Sequence, residues 1–353
     1  MNRTALIAGA TGITGENLAA HLLAKGWGVY GLARRPRPLP GLRPVIADLQ
    51  DADSVRDALS ALDVSHLFIC TWARQETEIE NVRVNGAMVE NLLAALAPAK
   101  SLAHAALVTG TKHYLGPFES YGQSTAETPF REDAPRLPGL NFYYTQEDIL
   151  YAAAQRHGFT WSVHRPHTVI GYALGNAMNM GVTLAVYATI CRHTGEPFVF
   201  PGSQFQWNAL TDVTDARILA HHLEWASTTP AVANQAFNIV NGEIFRWRWL
   251  WPQLAEWFGV RAVGPGQVPA PLQGVMRDAG RIWKEIAGQH GLVEEEVEKL
   301  ASWWHTDADL GREVECVNDM TKSRKAGFEE YQETYLSFVD VFTRLREGRI
   351  IPA

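Results

Sequence analysis

A glycine-rich turn at residues 9–15 constrains the fold of this chain more than any other segment. It joins a strand-like apolar run, Thr4 to Ala8, to a helical pattern, Ile13 to Ala24, and reads Gly9-Ala10-Thr11-Gly12-Ile13-Thr14-Gly15. Glycines permit a tight turn and a close backbone approach to a ligand, and the helix start offers free N–H groups to a pyrophosphate. The candidate contacts to a bound dinucleotide in this turn are Gly9, Thr11, Gly12, Ile13 and Gly15.

The first half of the chain continues as an alternation of strand and helix patterns. Strands are predicted at Gly28 to Ala33, Arg43 to Ala47, His66 to Cys70, Ala105 to Thr109 and Trp161 to His164, and helices at Val84 to Leu96 and Tyr144 to Arg156. This alternation predicts an α/β fold with a Rossmann-type doubly wound parallel sheet, whose ligands lie at the carboxyl ends of the strands. We expect residues 1–165 to form the dinucleotide-binding domain and to carry the catalytic residues.

Past Arg165-Pro166 the pattern loosens. Helices are predicted at Val182 to Cys191, Asp212 to Ala226, Trp247 to Trp257 and Tyr331 to Arg346, with a short strand at Ala236 to Val240. A Pro/Gly-rich stretch followed by an amphipathic one, Gly264 to Trp304, suits a lid or cap. Residues 166–353 therefore read as a smaller C-terminal substrate-binding and cap region, partly interwoven with the first domain. The 12 tryptophans concentrate after residue 200, where packing is a more common use of the ring than walling a pocket.

Composition limits the class of partner. The 353 residues are 46% hydrophobic and 20% charged, as in a globular protein with a large core, and the formal net charge is -7. No long basic run offsets that charge, so we expect neither a nucleic-acid nor a membrane partner. Three distant cysteines, Cys70, Cys191 and Cys316, fit neither a disulfide framework nor a metal site, so no metal is predicted. With no targeting pattern near Met1, we expect a cytoplasmic protein.

The end of the second predicted strand indicates which nicotinamide cofactor is bound. NAD-specific sheets carry an acidic residue there for the ribose 2′-hydroxyl, whereas this chain has Arg34 and Arg35, which suit a 2′-phosphate. We therefore expect NADPH. The remaining candidate cofactor contacts follow the third, fourth and fifth strands and are Asp48, Leu49, Thr71, Trp72, Thr109 and Gly110.

The chemistry is expected where a predicted helix begins with Tyr143 and Tyr144. Four residues after Tyr144, where a short-chain dehydrogenase has lysine, stands Asp148, whose charge would raise the tyrosine pKa on the same helical face. The cation must then come from elsewhere, and Lys112, just beyond the fifth strand, is the candidate. Tyr144 and Lys112 would donate to one substrate oxygen, and Tyr144 would also contact the cofactor. The neighbouring Tyr143 stays open as an alternative.

Two segments carry a family resemblance. They read Thr109-Gly110-Thr111-Lys112-His113-Tyr114-Leu115-Gly116-Pro117-Phe118 and Asn141-Phe142-Tyr143-Tyr144-Thr145-Gln146-Glu147-Asp148. Both resemble the signature segments of the progesterone 5β-reductase/iridoid synthase-like enzymes, which are atypical extended short-chain dehydrogenases. The likeness continues through Thr71-Trp72-Ala73-Arg74 and Lys322-Ser323-Arg324, so it spans nearly the whole chain.

The resemblance implies an NADPH-dependent ene-reductase that acts on small α,β-unsaturated carbonyl compounds. Hydride would go to the β-carbon, and Tyr144, matched by the family motif, would hold the enolate together with Lys112. Candidate substrate-pocket residues are Trp72, Phe118, Met178 and Phe205. His167 stands where plant members commonly have glycine and is expected to narrow or polarise the pocket mouth. Family habit also suggests a homodimer.

Three other functions stay open at this point. A carbonyl reductase and a sugar-nucleotide epimerase use the same extended fold, but the absence of a Tyr-x-x-x-Lys motif counts against both. A non-catalytic NADPH-binding regulator is the third, although such proteins tend to lose the tyrosine and the lysine that this chain keeps.

Overall fold

A seven-stranded parallel sheet organises the protein, whose computed structural model describes residues 3–117, 127–175 and 178–353. Its strands are β1 (Thr4–Ala8), β2 (Gly28–Ala33), β3 (Arg43–Ile46), β4 (His66–Ile69), β5 (His104–Val108), β6 (Thr160–Pro166) and β10 (Gln235–Ile239). Their order across the sheet is β3-β2-β1-β4-β5-β6-β10, and every neighbouring pair is parallel. The strand order reverses between β1 and β4, which is where such sheets open a crevice for a ligand. The predicted fold class is confirmed.

Helices cover the sheet and build the C-terminal region. They are α1 (Ile13–Ala24), α2 (Ala52–Leu59), α3 (Glu78–Leu96), α4 (Lys112–Leu115), α5 (Phe142–His157), α6 (Met180–Thr194), α7 (Gln204–Asn208), α8 (Ala216–Thr228), α9 (Trp247–Phe258), α10 (Leu272–Val275), α11 (Ala279–His290), α12 (Trp303–Leu310), α13 (Thr321–Lys325) and α14 (Thr334–Glu347). Two small sheets pair β7 (Val169–Ile170) with β9 (Thr214–Asp215) and β8 (Phe198–Val199) with β11 (Ala262–Val263). None of the helices described is long and apolar enough to cross a membrane.

The sheet forms because its central strands are apolar on both faces. Leu6 and Ile7 of β1 are fully buried on opposite faces, as expected for a parallel sheet covered by helices on both sides. One core lies between the sheet and α2, α3 and α5, and the other lies between the sheet and α1 and α8. Because α8 and β10 follow residue 166, the sheet domain draws on both halves of the sequence.

The C-terminal region has a hydrophobic core of its own, formed chiefly by α6, α9, α11 and α14. The tryptophans inside it pack against other apolar groups. Trp251 stacks on Phe198 with 4.0 Å between ring centroids, and the fully buried Trp283 donates from its indole nitrogen to the backbone carbonyl of Glu294. Burying two such rings removes a large apolar area from water and stabilises the fold by several kcal/mol on the order given by that area. The stretch predicted as a lid holds α10, α11 and the start of α12.

Several predicted element boundaries were wrong, and the capping residues explain two of them. The helix expected to begin at Asp212 begins at Ala216, because the Asp215 carboxylate caps it by accepting from the Arg217 N–H. Helix α3 begins at Glu78 rather than Val84, since Thr77 caps it through a bond from the Glu80 N–H. Polar first turns hide these starts from a reading of hydrophobic periodicity.

Candidate active site

The glycine turn lies at the carboxyl end of β1, and its packing excludes side chains. Gly9 has a φ of +84°, and a Cβ atom there would lie 2.8 Å from the Thr71 Cβ atom. A Cβ atom on Gly15 would lie 2.2 Å from the Gly9 carbonyl oxygen. Helix α1 begins after Gly12 without a side-chain cap, so its first N–H groups remain for a ligand. This turn and helix start fit a dinucleotide pyrophosphate.

The residues predicted to recognise the adenosine half follow β2 and β3. Arg34 and Arg35 come directly after β2, and both are exposed. The backbone N–H of Gly9 donates to the Leu32 carbonyl at 3.0 Å, which fixes the glycine turn against the end of β2. Asp48 is exposed after β3, and its carboxylate accepts from the Gln50 N–H at 3.0 Å. Leu49 beside it is buried. These residues therefore share one edge of the sheet with the glycine turn.

The loop after β4 is held in place by two buried asparagines on α3. Asn85 Oδ1 accepts from the Ala73 N–H at 2.7 Å, and Asn81 Oδ1 accepts from the Gln75 N–H at 2.8 Å. The loop carries Trp72, whose half-buried ring stacks on Phe142 with centroids 5.4 Å apart. The sequence reading missed Asn81 and Asn85, although two asparagines one helical turn apart in an apolar helix are a usable signal.

Gly110 follows β5 and lies close to the start of α5. A Cβ atom there would lie 3.1 Å from the Pro166 carbonyl oxygen and 3.4 Å from the Tyr143 hydroxyl oxygen. Thr109, one residue earlier, is buried and donates from its hydroxyl to the His164 carbonyl at 3.3 Å. The tyrosine brought to the end of β5 is therefore Tyr143.

Tyr143 lies in the first turn of α5, close to the Glu78 carboxylate. Asn141 caps the helix by accepting from the Tyr143 N–H at 3.0 Å, and its amide donates to the Lys112 carbonyl at 3.0 Å. Burial, and then the Glu78 carboxylate, raise the pKa of Tyr143 well above its usual range. The phenol is therefore a neutral hydrogen-bond donor throughout the physiological pH range.

Lys112 opens α4, two residues beyond Gly110, and its side chain is buried. Its ammonium lies 3.0 Å from Glu78 Oε2 and 4.6 Å from the centre of the Phe142 ring. Glu78 is the first residue of α3, and only 12% of its side chain is exposed. We refer to Tyr143, Lys112 and Glu78 as the Tyr143 cluster.

Tyr144, the tyrosine selected from the sequence, points elsewhere. Its hydroxyl donates to the His113 carbonyl at 2.6 Å and accepts from the Leu137 N–H at 3.0 Å. Burial raises its pKa, and the Glu147 carboxylate adds to that effect. Asp148, which was expected to act on Tyr144, instead pairs with Arg136 at 2.8 Å on the exposed side of α5. The structure does not bring Tyr144 and Lys112 together, because each is bonded to other groups.

A buried ionic network surrounds Tyr144. Glu147 lies 2.9 Å from Arg136, 3.2 Å from Arg165 and 3.5 Å from His113. Burial opposes ionisation of Glu147, but these three cationic or hydrogen-bonding neighbours outweigh it and lower the pKa of the carboxyl group. We refer to Tyr144, His113, Arg136, Glu147 and Arg165 as the Tyr144 cluster.

His167, which follows β6, lies in a separate buried polar group. Its Nδ1 atom is 2.9 Å from Asp212, and the Asn318 amide also binds that carboxylate at 3.0 Å. Burial disfavours the charged imidazole, but the Cys316 sulfur and Asp212 prevail and raise the pKa of His167 to about 9. His167 is only 3% exposed, so its imidazole is buried beside the end of β6.

Three residues predicted from the sequence to line the substrate pocket remain to be placed. Met178 is half-buried just before α6, and Phe205 on α7 is 45% exposed. Phe118 lies outside the described residues. A cavity of about 390 Å³ opens at the end of β10, where Asp212, Val240, Ile244, Asn318 and Met320 contribute to its lining. Among the described residues that line it, none belongs to the predicted catalytic or cofactor set.

Comparison with known proteins supplies the family context for this geometry. A family model described as a PRISE-like Rossmann-fold domain matches residues 48–352. An (S)-8-oxocitronellyl enol synthase of Camptotheca acuminata is 42% identical, over 99% of this chain and 93% of its own length. A 3-oxo-Delta(4,5)-steroid 5-beta-reductase of Arabidopsis thaliana is 40% identical with the same two coverages.

Solved structures with low sequence identity to this chain share its fold. The Thermus thermophilus UDP-glucose 4-epimerase in complex with NAD superimposes with a TM-score of 0.68, covering 96% of this chain and 99% of that one. The sequence identity is 17%, so the likeness concerns the fold alone.

Proposed function

The chain belongs to the PRISE-like family of Rossmann-fold oxidoreductases, and from this premise we propose that it is an NADPH-dependent ene-reductase. Its substrates would be small α,β-unsaturated carbonyl compounds, reduced at the carbon–carbon double bond. The named relatives include an enzyme for a 3-oxo-Δ(4,5)-steroid and one that forms an enol, and both names fit that reaction class.

One observation carries the proposal. The Tyr143 hydroxyl lies beside Gly110 at the end of β5, on the sheet edge that also holds the glycine turn. An oxygen of a substrate at this edge would be within reach of a neutral phenol donor. We therefore assign the tyrosine role to Tyr143, and Lys112, two residues beyond Gly110, supplies the nearby positive charge.

The mechanism follows from where charge develops. The glycine turn would hold the pyrophosphate of a bound nicotinamide dinucleotide, which would supply the hydride for the β-carbon of the enone. As the carbonyl oxygen gains negative charge, the Tyr143 hydroxyl donates a hydrogen bond to it. The phenol keeps its proton because burial and Glu78 raise its pKa, so it stabilises the enolate without ionising. A proton from solvent then adds to the α-carbon and completes the saturated ketone. The Lys112 ammonium pairs with Glu78, which also binds the Phe142 N–H, so Lys112 supports the helix start that carries Tyr143.

We also propose NADPH as the preferred cofactor. Arg34 and Arg35 follow β2, where the adenosine ribose of a bound dinucleotide lies in this fold, and both are exposed to accept a phosphate. Guanidinium groups bind phosphate oxygens in bidentate geometry. Replacing both by alanine should raise the KM for NADPH by at least tenfold and leave that for NADH nearly unchanged. Arg43→Ala, on an exposed arginine at the start of β3, is the matched control.

Product analysis tests the function directly. Purified protein is incubated with NADPH and 2-cyclohexen-1-one, and the products are separated by gas chromatography. We expect cyclohexanone as the main product. The allylic alcohol would indicate a carbonyl reductase instead, and no turnover over a panel of small enones, despite NADPH binding, would indicate a regulator.

A further inference from the structure

Glu78 connects three parts of the candidate site although it lies outside every motif used to identify it. Its Oε2 atom accepts from the Lys112 ammonium at 3.0 Å and from the Asn81 amide at 3.1 Å. Its Oε1 atom accepts from the Phe142 N–H, at the first residue of α5, at 2.9 Å. One carboxylate therefore joins the start of α3, the turn after β5 and the start of α5.

These contacts fix the two proposed catalytic side chains relative to each other. The carboxylate stands at the N-terminus of the 16-residue helix α5, where a negative charge stabilises the helix dipole. Asn141 ties the same helix start to the backbone of Lys112. Lys112 is thus attached to α5 both through its backbone and through its side chain, and Tyr143 follows Phe142 directly in the chain.

The charge of Glu78 opposes that of Lys112 close to the phenol. Its side chain is largely buried, so solvent screens the carboxylate only weakly. If the lysine charge acted alone, it would favour the tyrosinate form. With Glu78 beside it, the pair has no net charge, and the phenol keeps its proton.

We propose that Glu78 is a positioning residue that locks Lys112 and the first turn of α5 together and keeps Tyr143 working as a neutral hydrogen-bond donor. This inference rests on the proposed function, because it assigns Glu78 a role through Tyr143 and Lys112. A residue with a purely structural role would affect stability but would leave the ionisation of Tyr143 unchanged.

The test uses three variants of the full-length protein. Glu78→Gln keeps an oxygen for the Phe142 N–H but removes the charge. Glu78→Asp keeps the charge on a shorter side chain. Glu80→Gln is the matched control, since Glu80 lies on the same helix and pairs with the exposed Arg83 at 2.7 Å.

Ionisation of Tyr143 is measured without turnover. Protein labelled with 3-fluorotyrosine, whose phenol is more acidic, is titrated by ¹⁹F NMR, and the Tyr143 signal is identified from its absence in Tyr143→Phe. We expect the midpoint in Glu78→Gln to lie about one to three pH units below that of the unmodified sequence. Glu78→Asp and Glu80→Gln should keep the original midpoint. The proposal is overturned if the Tyr143 midpoint is the same in Glu78→Gln and in the unmodified sequence. It is also overturned if Tyr143 titrates in neither protein.

Turnover supplies the second readout. In Glu78→Gln we expect kcat to fall on the order of tenfold to a hundredfold while the KM for NADPH stays constant, because Lys112 loses its anchor. The alkaline limb of the kcat profile should move to lower pH with the NMR midpoint. An unchanged kcat profile in a folded Glu78→Gln protein also contradicts the inference. If no enone is reduced by any form, the proposed function fails, and the NMR titration still decides the role of Glu78.

Discussion

The two sides of the first turn of α5 carry the same kinds of groups and use them differently. The Tyr143 cluster and the Tyr144 cluster each combine a tyrosine, a carboxylate and at least one cation. In the Tyr144 cluster the hydroxyl is bonded to two backbone groups, and the carboxylate lies within 3.5 Å of three side chains. In the Tyr143 cluster the hydroxyl lies against Gly110, which has no side chain to cover it. The bonds of the Tyr144 cluster fix structure, and the Tyr143 side is the one that we propose faces the ligand.

Helical geometry explains why two adjacent tyrosines have such different surroundings. Consecutive residues on a helix point about 100° apart, so Tyr143 and Tyr144 cannot face the same element. The Asn141 cap and the packing of α5 on α3 set the rotation of the helix. That rotation turns Tyr143 to the end of β5 and Tyr144 toward the His113 carbonyl.

The largest expected effect is on the stability of the Tyr144 cluster. Glu147→Ala should lower the free energy of unfolding by about 3–5 kcal/mol, because it leaves Arg165 buried without its carboxylate partner. Urea unfolding followed by circular dichroism measures the change. Glu80→Ala, which breaks an exposed pair on α3, should leave the free energy of unfolding nearly unchanged. Comparable values for the two variants would mean that the Tyr144 cluster does not fix the structure as we infer.

Exchange of each tyrosine for phenylalanine compares the two clusters directly. Tyr143→Phe should lower kcat for enone reduction by about 10²–10³, as the loss of one donor to a developing oxyanion does. Tyr144→Phe should keep most of the turnover but lower the free energy of unfolding by about 1–3 kcal/mol, since the buried His113 carbonyl and the half-buried Leu137 N–H lose their partner. Steady-state kinetics and urea unfolding of both variants provide the measurement. A large loss of kcat in Tyr144→Phe alone would reverse the assignment of the two tyrosines.

Acid should weaken the Tyr144 cluster through His113. Burial lowers the pKa of His113 in the folded protein below 6.5. At a pH between this lowered pKa and about 6.5, the unfolded chain binds a proton that the folded protein does not. Stability is therefore lost as the pH falls below about 6.5. His113→Asn should reduce the slope of unfolding free energy against pH by up to about 1.4 kcal/mol per pH unit in that range. His157→Asn, at the exposed end of α5, is the control, and equal slopes in both variants would contradict the prediction.

Local sequence patterns predicted the sheet well because each strand is marked by an apolar run of its own. The bounds of β1, α1 and β2 agree with the prediction residue for residue, since Gly9, Gly12 and Gly26 separate the three elements. Helix α2 is only eight residues long and buries only Val55 and Leu59, so its apolar pattern is too short to be recognised. Elements with a wide buried face could thus be predicted, and short surface elements could not.

The candidate site was less predictable because it depends on tertiary contacts. The segments that carry Tyr143 and Lys112 were identified, but the choice between two adjacent tyrosines requires the rotation of α5 against β5. The role of Glu78 depends on the position of its carboxylate beside Lys112, 34 residues away in sequence. Asp212 was expected to begin a helix and instead pairs with His167. Sequence periodicity contains no information on such distances.

The smallest expected effect concerns Asp148 and the dehydrogenase motif that it interrupts. Asp148→Lys creates a Tyr144-x-x-x-Lys pattern, yet we expect no gain in turnover, because the Tyr144 hydroxyl stays bonded to His113 and Leu137. The new lysine would also replace an exposed pair with Arg136 by a repulsion, which should lower the free energy of unfolding by about 0.2–1 kcal/mol. Kinetics with an enone and with its saturated ketone measure the outcome. A rise in carbonyl reduction would show that position 148, and not the rotation of α5, decides which tyrosine acts.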